Sequence, residues 1–339
     1  MESKSSMNSL NPFSHPICLS MPRRLSSMTS WHEHIPFAML LVDLLRPKII
    51  VELGTQCGDS YCAFCQAVQE LMLDTLCYAI DTWQGDPHAG FYGDEVLADL
   101  RAHHDPLYGS FSRLIQSTFD EALEHFADGT IYLLHIDGYH TYESVKHDFE
   151  SWLPKMSPHG VVLLHDTNVR ERDFGVRKFW DEIKLQYPYF EFLHGHGLGI
   201  LAVGEVHSKE LHALFNAESD HIATIRTFFF QLGHRQARDA QIAELANALQ
   251  AKDSQIQNLE IQIQQMQSGI VMHFLNKYQR VVEKLLRSGT QRRYYYELGL
   301  TGIRVILNEG WRSFFRKAKA RLQGRKDRAN KQPRVTHFL

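Results

Sequence analysis

Apolar and polar positions alternate along residues 48–204 in blocks that predict an α/β fold. Short apolar runs, each suited to a buried strand, are separated by stretches with the 3.6-residue spacing of amphipathic helices. The predicted strands are 48–53, 76–81, 111–116, 131–137, 159–166, 189–194 and 198–204. The last two are separated by a glycine-rich turn too short for a crossover helix, so we expect them to be antiparallel. The pattern predicts a doubly wound, mostly parallel seven-stranded sheet.

Further along the chain, apolar residues recur every seven positions. One series is Ile242, Leu249, Ile256, Ile263 and Ile270, and three positions after members of it come Leu245, Leu259 and Met266. Residues 236–268 contain neither proline nor glycine. A heptad pattern sustained in this way predicts a coiled coil over 236–268. The alternative is a long solvated helix that packs on its own globule.

The C-terminal end combines positive charge with a second amphipathic pattern. Residues 271–339 contain 17 Lys and Arg against 4 Asp and Glu, a net of +13, whereas residues 1–270 carry a net of −16. After a helical segment at 271–286, one helical face would be formed by Trp311, Phe314, Phe315, Ala318 and Leu322, with arginines and lysines opposite. Such a helix suits an anionic membrane surface. An acidic protein surface and non-specific nucleic acid are the alternatives, since no motif here reads bases.

The same hydropathy pattern bears on location. No apolar run reaches the roughly 18 residues that a membrane-spanning helix takes, and the N-terminus lacks a charged-then-apolar signal pattern. We therefore expect a cytoplasmic protein that associates peripherally with the inner face of the membrane through its basic end.

The first predicted strand runs into a glycine loop and then a helix. The loop has the spacing E-x-G-x-x-x-G, from Glu52 through Gly54 to Gly58, and Gln56 stands where a dinucleotide fingerprint would have its second glycine. Glycines let a backbone turn tightly and admit a ligand at the start of a helix. Asp81 ends the second strand, where a carboxylate can accept both hydroxyls of a ribose. The alternative for Asp81 is a helix-capping or turn residue.

Acidic residues also end the fourth and fifth predicted strands. Because the carboxyl ends of neighbouring parallel strands lie at the same edge, we expect Asp137 and Asp166 to share a hard cation or one substrate hydroxyl. His140 follows in the loop, and an unperturbed imidazole suits removal of a proton from a hydroxyl. The alternative for His140 is a helix cap or a purely structural side chain.

Longer motifs surround these residues. They include H-I-D-G-Y-H-T-Y-E at 135–143, L-P-K-M-S-P-H-G-V-V-L-L-H-D-T at 153–167 and D-T-W-Q-G-D at 81–86. With the glycine loop, they resemble class I S-adenosylmethionine-dependent methyltransferases of the type associated with glycosyltransferases. The resemblance covers about residues 30–205 and includes cephalosporin-hydroxylase-like and macrolide-sugar O-methyltransferases.

The resemblance implies a Rossmann-like methyltransferase fold that binds S-adenosyl-L-methionine. The residues that would hold the cofactor are Glu52, Gly54, Gly58, Asp81 and, near the adenine, Ser117. In such relatives, acids at the ends of the fourth and fifth strands bind a divalent metal that positions a sugar hydroxyl. Asp137 and Asp166 match those positions, and Mg²⁺ or Mn²⁺ would be the cation. The third acid of the relatives is replaced, since His165 and Thr167 flank Asp166.

These patterns divide the chain into six segments. They are a disordered or extended N-terminus (1–30), a methyltransferase domain (31–205), a helical connector (206–235), a coiled coil (236–268), a basic amphipathic helical region (269–323) and a disordered basic tail (324–339). We expect an O-methyltransferase that acts on a hydroxyl of a sugar or glycan precursor, as a homo-oligomer or with a coiled-coil partner. The alternatives are a non-catalytic scaffold that acts through the coiled coil and a nicotinamide-dependent oxidoreductase, which Gln56 and the closing hairpin disfavour.

Overall fold

The computed structural model describes residues 10–171 and 173–329. Within these ranges the strands are β1 (Ile49–Leu53), β2 (Leu76–Asp81), β3 (Gly85–Asp86), β4 (Gly90–Phe91), β5 (Ser112–Gln116), β6 (Ile131–Ile136), β7 (Met156–His165), β8 (Tyr189–Phe192) and β9 (Leu198–Ala202). Apart from the short β3–β4 hairpin, they form one seven-stranded sheet in the order β5-β2-β1-β6-β7-β9-β8. β9 pairs antiparallel with β7 and β8, and the other pairs are parallel. The predicted sheet and its closing hairpin are confirmed.

Helices pack on both faces of the sheet. The α-helices of the described ranges are α1 (Ile35–Leu45), α2 (Asp59–Glu70), α3 (Asp94–Tyr108), α4 (Phe119–Leu123), α5 (Tyr142–Trp152), α6 (Val176–Ile183), α7 (Lys209–Phe215), α8 (Ser219–Ser268), α9 (Ile270–Leu285), α10 (Gln291–Glu309) and α11 (Trp311–Ala329). Successive strand residues point to opposite faces. Ile50 packs in the apolar core with α1, α2 and α3, whereas Val51 and Leu53 pack in the core with α4, α5 and α6.

The strand order places a crevice at the carboxyl edge of the sheet. From β1, the chain continues to β2 and β5 on one side and returns to β6 and β7 on the other. Ligands of doubly wound folds bind where the strand order reverses in this way. The loops after β1, β2, β6 and β7 therefore meet at one edge of a Rossmann-like fold.

The N-terminal segment differs from the disordered or extended stretch expected over 1–30. Residues 10–30 contain short 3₁₀-helices at Pro12–Ser14 and Pro16–Leu19. Ile17 and Cys18 are buried in the core beside α1. Apolar burial and Pro at the first helical turns explain the order. Residues 1–9 of the predicted segment lie outside the described residues.

The beginning of α8 belongs to the same compact unit as the sheet and is not a simple connector. Phe229 is fully buried and packs on Phe37 and Phe192, with ring centroids 5.4 Å and 5.8 Å away. Gln236 donates to the carbonyls of Cys18 and Ser20. The first compact unit accordingly extends to Asn247.

The second compact unit begins at Ala248. Along α8, the heptad side chains from Ile242 to Met266 are each at least half exposed. In α11, Trp311 and Phe315 are exposed, but Phe314 lies against Gly302 of α10. The single face predicted for α11 is therefore split, because part of it packs on the neighbouring helix.

The structure also bears on two further predictions, one for the basic tail and one for membrane-spanning helices. The tail predicted to be disordered from residue 324 has a helical backbone through residue 329, and residues 330–339 lie outside the described part. None of the helices in residues 10–171 and 173–329 is long and apolar enough to cross a bilayer.

Candidate functional site

Three residues of the glycine loop between β1 and α2 have positive φ, namely Gly54, Gln56 and Gly58. Gly54 has φ +85° and Gly58 has φ +79°. A Cβ at position 54 would lie 2.1 Å from the main-chain oxygen of Asp137, and one at position 58 would lie 2.5 Å from Leu100. We expected Gly54 to make room for a ligand. The structure gives a different reason, since the neighbouring main chain already fills the space beside its Cα.

Asp81 shapes this loop from the end of β2. Its Oδ2 accepts from the amides of Thr55 and Gln56 at 2.9 Å and 2.8 Å, and its Oδ1 accepts from the amide of Trp83 at 2.7 Å. The Trp83 indole in turn donates to the carbonyl of Gln56. Asp81 therefore fixes the loop conformation and, since a carboxylate has about four acceptor positions, keeps capacity for one more donor.

Two of the residues predicted to hold a cofactor lie elsewhere. Glu52 is fully buried, and its Oε2 is 2.8 Å from Nδ1 of His135. Burial raises the pKa of Glu52, opposed by the His135 hydrogen bond. Ser117 donates to Glu121 instead of facing the crevice, because the capping box of α4 engages this turn. Neither Glu52 nor Ser117 is among the described residues that line the cavity of this site.

Side chains from β6, β7 and the following loops form what we call the acid–histidine cluster: Asp137, His140, His165 and Asp166. His140 Nε2 lies 2.8 Å from Asp166 Oδ2 and 3.4 Å from Asp137 Oδ1. His165 Nδ1 lies 3.3 Å from Asp137 Oδ1. Asp166 has φ +61°, a conformation that Asp tolerates better than most residues and that is enriched at functional sites. The two acids predicted to be neighbours are thus brought together.

The histidines of the cluster are more basic than free imidazole. Burial alone would lower the pKa of His140, but hydrogen bonds and charges from Asp137 and Asp166 outweigh it and raise this pKa to about 10. The same carboxylates overcome burial at His165 and raise its pKa to about 9. Against the effect of burial, the histidines hold the pKa of both carboxyls well below the usual range. We expected an unperturbed pKa for His140, and in the protein without a bound ligand this pKa is raised instead.

A cavity of about 960 Å³ joins the glycine loop to the acid–histidine cluster. Its lining includes six residues that the sequence analysis names as candidates, Gly54, Gly58, Asp81, Asp137, His140 and Asp166, and also residues that the sequence pattern did not single out. The latter include Trp31, Tyr92, Phe119, Tyr139, Asn168 and Phe174. Most follow strands or stand in short loops, where no periodic pattern marks them.

Asp148 lies beside the cluster on α5 and offers a test of the local electrostatics. Burial raises the pKa of its carboxyl from 3.8 to about 7. A raised folded-state pKa favours folding below the unfolded pKa and loses that contribution as pH rises to about 7. We therefore expect Asp148→Asn, which cannot ionise, to gain stability over the wild type between pH 4 and 8, reaching on the order of 2 to 4 kcal/mol. Urea unfolding at several pH values measures it; a pH-independent difference would contradict the placement of this carboxyl.

Comparison with protein families classifies the central part of the chain. Residues 51–167, about a third of the sequence, match the family model of a methyltransferase domain. These residues are thus similar to a methyltransferase domain, and the match spans the glycine loop, Asp81 and all four members of the acid–histidine cluster.

A curated relative is similar to this chain beyond the methyltransferase domain. An uncharacterised protein, y4gI of Sinorhizobium fredii (strain NBRC 101917 / NGR234), is 44% identical over 241 residues, which are 70% of this chain and 26% of that protein. The chain thus spans about a quarter of the length of this relative.

Solved structures with similarity to the methyltransferase domain include an O-methyltransferase from Bacillus cereus in complex with SAH. It is 14% identical with a TM-score of 0.39, covering 54% of this chain and 84% of that chain. An SAH-bound methyltransferase from Podospora anserina is 12% identical with a TM-score of 0.40, covering 58% and 99%. Residue roles and substrate therefore rest on the geometry of this chain.

Proposed function

We propose that the chain transfers the methyl group of S-adenosylmethionine to a hydroxyl of a sugar or glycan precursor. The observation that carries the proposal is the cavity of about 960 Å³, with the glycine loop in one wall and the acid–histidine cluster in another. Ligand cavities commonly measure roughly 300–1,000 Å³, so this one has room for a cofactor and a small acceptor together.

The glycine-loop wall fits S-adenosylmethionine by its donors and acceptors. Asp81 retains acceptor capacity at the end of β2, where a ribose hydroxyl can reach it. Thr55 Oγ1 lines the wall, is buried and has no hydrogen-bond partner among the described residues. Buried hydroxyls usually have a partner, so this one suits a polar group of a ligand. Phe119, also in the lining, offers an aromatic surface for a purine.

The opposite wall fits a divalent cation. One ligand atom from each of Asp137, His140 and Asp166 lies within 4.8 Å of the others. Two carboxylates and an imidazole suit Mn²⁺ or Mg²⁺, and His140 would take the place of the third acid. When bound, the cation would act as a Lewis acid that makes an acceptor hydroxyl easier to deprotonate.

Without the cation, whose ligand it would otherwise be, His140 is the group of the chain best placed to take the proton of the acceptor. In the protein alone it is protonated at neutral pH, since its pKa is about 10. The positive sulfonium of S-adenosylmethionine in the cavity would offset the carboxylates that hold this proton. His140 then becomes neutral and its Nε2 can accept the hydroxyl proton, while Asp137 and Asp166 orient the acceptor oxygen.

The lining around the cluster supports a carbohydrate acceptor. Tyr139 and Phe174 contribute aromatic rings, and Asn168 contributes an amide, all within the same cavity. Sites of this kind pack the apolar face of a ligand on rings and fix its orientation by a few polar groups. A sugar ring has both surfaces, C–H groups on its faces and hydroxyls at its edge.

Transfer to a sugar hydroxyl is tested with S-adenosylmethionine labelled in its methyl group. We expect the full chain to label carbohydrate extracts in a form that survives mild alkali, because methyl ethers resist hydrolysis and methyl esters do not. Alkali-labile label would contradict a hydroxyl acceptor, and unlabelled carbohydrate with labelled protein would contradict a small-molecule acceptor.

We further propose that a second copy of the chain covers the heptad stripe of α8. Residues such as Leu249, Ile256 and Ile263 repeat at seven-residue steps and remain at least half exposed. A matching stripe on a second copy would bury them. Ile256→Lys with Ile263→Lys should therefore yield monomers in light scattering, whereas Gln257→Lys, outside the stripe, should leave the oligomer intact. A monomeric wild type, or an oligomer that survives the paired lysines, would contradict this interface.

The exposed aromatics of α11 are proposed to bind the anionic inner face of the membrane. Trp311 and Phe315 are both more than half exposed in a region with a net charge of +13. Basic residues near an anionic surface each contribute on the order of 1 kcal/mol, and salt screens that attraction. We expect salt-sensitive sedimentation with anionic liposomes, lost in Trp311→Ser with Phe315→Ser and kept in Leu185→Ser. Equal sedimentation of all three proteins would contradict the site.

A further inference from the structure

A chain of buried hydrogen bonds runs from the sheet to the cavity wall. Register pairs Glu52 of β1 with His135 of β6, so their side chains lie on the same face of the sheet. His135 Nδ1 is 2.8 Å from Glu52 Oε2, and Trp31 Nε1 is 3.2 Å from His135 Nε2. Glu52 and His135 are fully buried, and 4% of Trp31 is exposed.

The donor groups fix the direction in which this series of hydrogen bonds runs, from Trp31 through His135 to Glu52. An indole N–H can only donate, so His135 Nε2 must accept and carries no proton. The ring proton is therefore on Nδ1, from which His135 donates to Glu52. Each atom therefore acts either as donor or as acceptor, and the hydrogen bonds together set the tautomer of His135 and the orientation of Trp31.

Rings surround this hydrogen-bond chain, and those near Trp31 include His34 and His165, with ring centroids 5.7 Å and 6.1 Å away. Phe64 packs edge-on against both Trp31 and His135, with ring centroids 5.8 Å and 5.9 Å away. Burying a carboxylate and an imidazole in such a core costs more than an apolar pair of similar volume. A polar chain in this place fixes an orientation that apolar packing would leave less well defined.

Trp31 belongs to a segment that forms one side of the cavity. Met28, Ser30 and Trp31 all line it. The start of this segment is attached to the first residue of α2, next to the glycine loop, since Ser26 donates to Asp59 from both its amide and its hydroxyl. The Trp31 hydrogen bond is a second attachment, and it reaches the sheet.

We propose that Glu52 and His135 are positioning residues that hold the Trp31 indole and the segment 26–31 in place as a wall of the cofactor and acceptor cavity. The inference rests on the proposed function, because it gives Glu52 an indirect role in ligand binding. Glu52 acts through His135 and Trp31 and makes no contact with the cofactor.

The test compares variants by calorimetric titration of the full chain with S-adenosylhomocysteine. Trp31→Phe keeps the ring and removes only the N–H, and should weaken binding about tenfold. The matched control is Trp152→Phe, because Trp152 Nε1 is buried without a hydrogen-bond partner among the described residues; its affinity should equal that of the wild type. Equal affinities of wild type and Trp31→Phe would overturn the proposal.

A second pair of variants separates positioning from direct contact. Glu52→Gln keeps an oxygen that accepts from His135 and should bind within about threefold of the wild type, whereas Glu52→Leu should lose at least as much as Trp31→Phe. A loss in Glu52→Gln as large as in Glu52→Leu would show that the charge contacts the ligand, which overturns the proposal.

Hydrogen exchange provides a readout that does not depend on ligand binding. Amides of residues 26–34 should exchange faster in Trp31→Phe than in Trp152→Phe, while those of β1 remain protected in both. Unchanged exchange in 26–34 would overturn the attachment. If the wild type binds no S-adenosylhomocysteine, the proposed function fails, and the exchange measurement still decides whether the hydrogen-bond chain holds the segment.

Discussion

Gly54→Ala is expected to destabilise the methyltransferase domain by about 3 to 5 kcal/mol and to weaken S-adenosylhomocysteine binding by roughly 100-fold or more. The new Cβ would lie 2.1 Å from the main-chain oxygen of Asp137. Neither main chain can move without displacing the glycine loop or Asp137 itself. The φ of +85° adds strain of about 1 to 2 kcal/mol for any residue with a Cβ. Urea unfolding and calorimetric titration measure the two effects.

Gly129→Ala is the matched control for this prediction. Gly129 has φ +73°, and no atom lies within 4 Å of a Cβ built there among the described residues. It should therefore show the cost of the backbone conformation alone, about 1 to 2 kcal/mol, with unchanged ligand affinity. If Gly54→Ala were no more destabilising than Gly129→Ala, the close packing of the loop against Asp137 would be wrong.

Asp137→Asn is expected to lower turnover by about a hundredfold or more while changing S-adenosylhomocysteine affinity by less than about threefold. Asp137 accepts hydrogen bonds from two histidines in the cavity wall formed by the acid–histidine cluster, where it lies beside Asp166. Its charge therefore acts on the substrate hydroxyl and on the proton that leaves it. Steady-state kinetics and calorimetry separate the two quantities. Asp120→Asn is the control, because Asp120 pairs with His147 at 2.8 Å on the surface.

The same kinetic measurements decide whether a cation or His140 assists the removal of the proton from the acceptor hydroxyl. With a cation at Asp137, His140 and Asp166, activity should fall in chelator and return with Mg²⁺ or Mn²⁺. Full activity in chelator would remove the cation and assign proton removal to His140 alone, in which case His140→Ala should show the largest loss of turnover. A turnover loss in Asp120→Asn equal to that in Asp137→Asn would remove the acid–histidine cluster from catalysis.

The sequence predicted the sheet and its edge well because those features are local. Apolar runs mark buried parallel strands, and the acids that follow β6 and β7 must meet once the strands are neighbours. Asp137 and Asp166 were therefore found together, with His140 in reach. The glycines of the loop were recognised by the same local logic, although the reason for Gly54 depends on the approach of a distant main chain.

The parts that the sequence did not predict depend on contacts between distant segments. Glu52 is bonded to His135, which is 83 positions away, and the register of β1 against β6 decides that pairing. The pKa of His140 reflects two carboxylates that follow different strands, Asp137 after β6 and Asp166 after β7. Phe229 packs in the core at the start of α8, whereas the heptad side chains later in the same helix are exposed. The periodic pattern of the sequence did not indicate this change from buried to exposed positions.

Titration of the purified full chain with S-adenosylmethionine by calorimetry decides whether the glycine-loop wall binds this cofactor. We expect one binding site per chain, with affinity reduced in Asp81→Ala because the loop loses its amide acceptor and the ribose its partner, and no heat with NAD. Binding of NAD in place of S-adenosylmethionine, or S-adenosylmethionine binding that is unchanged in Asp81→Ala, would contradict it.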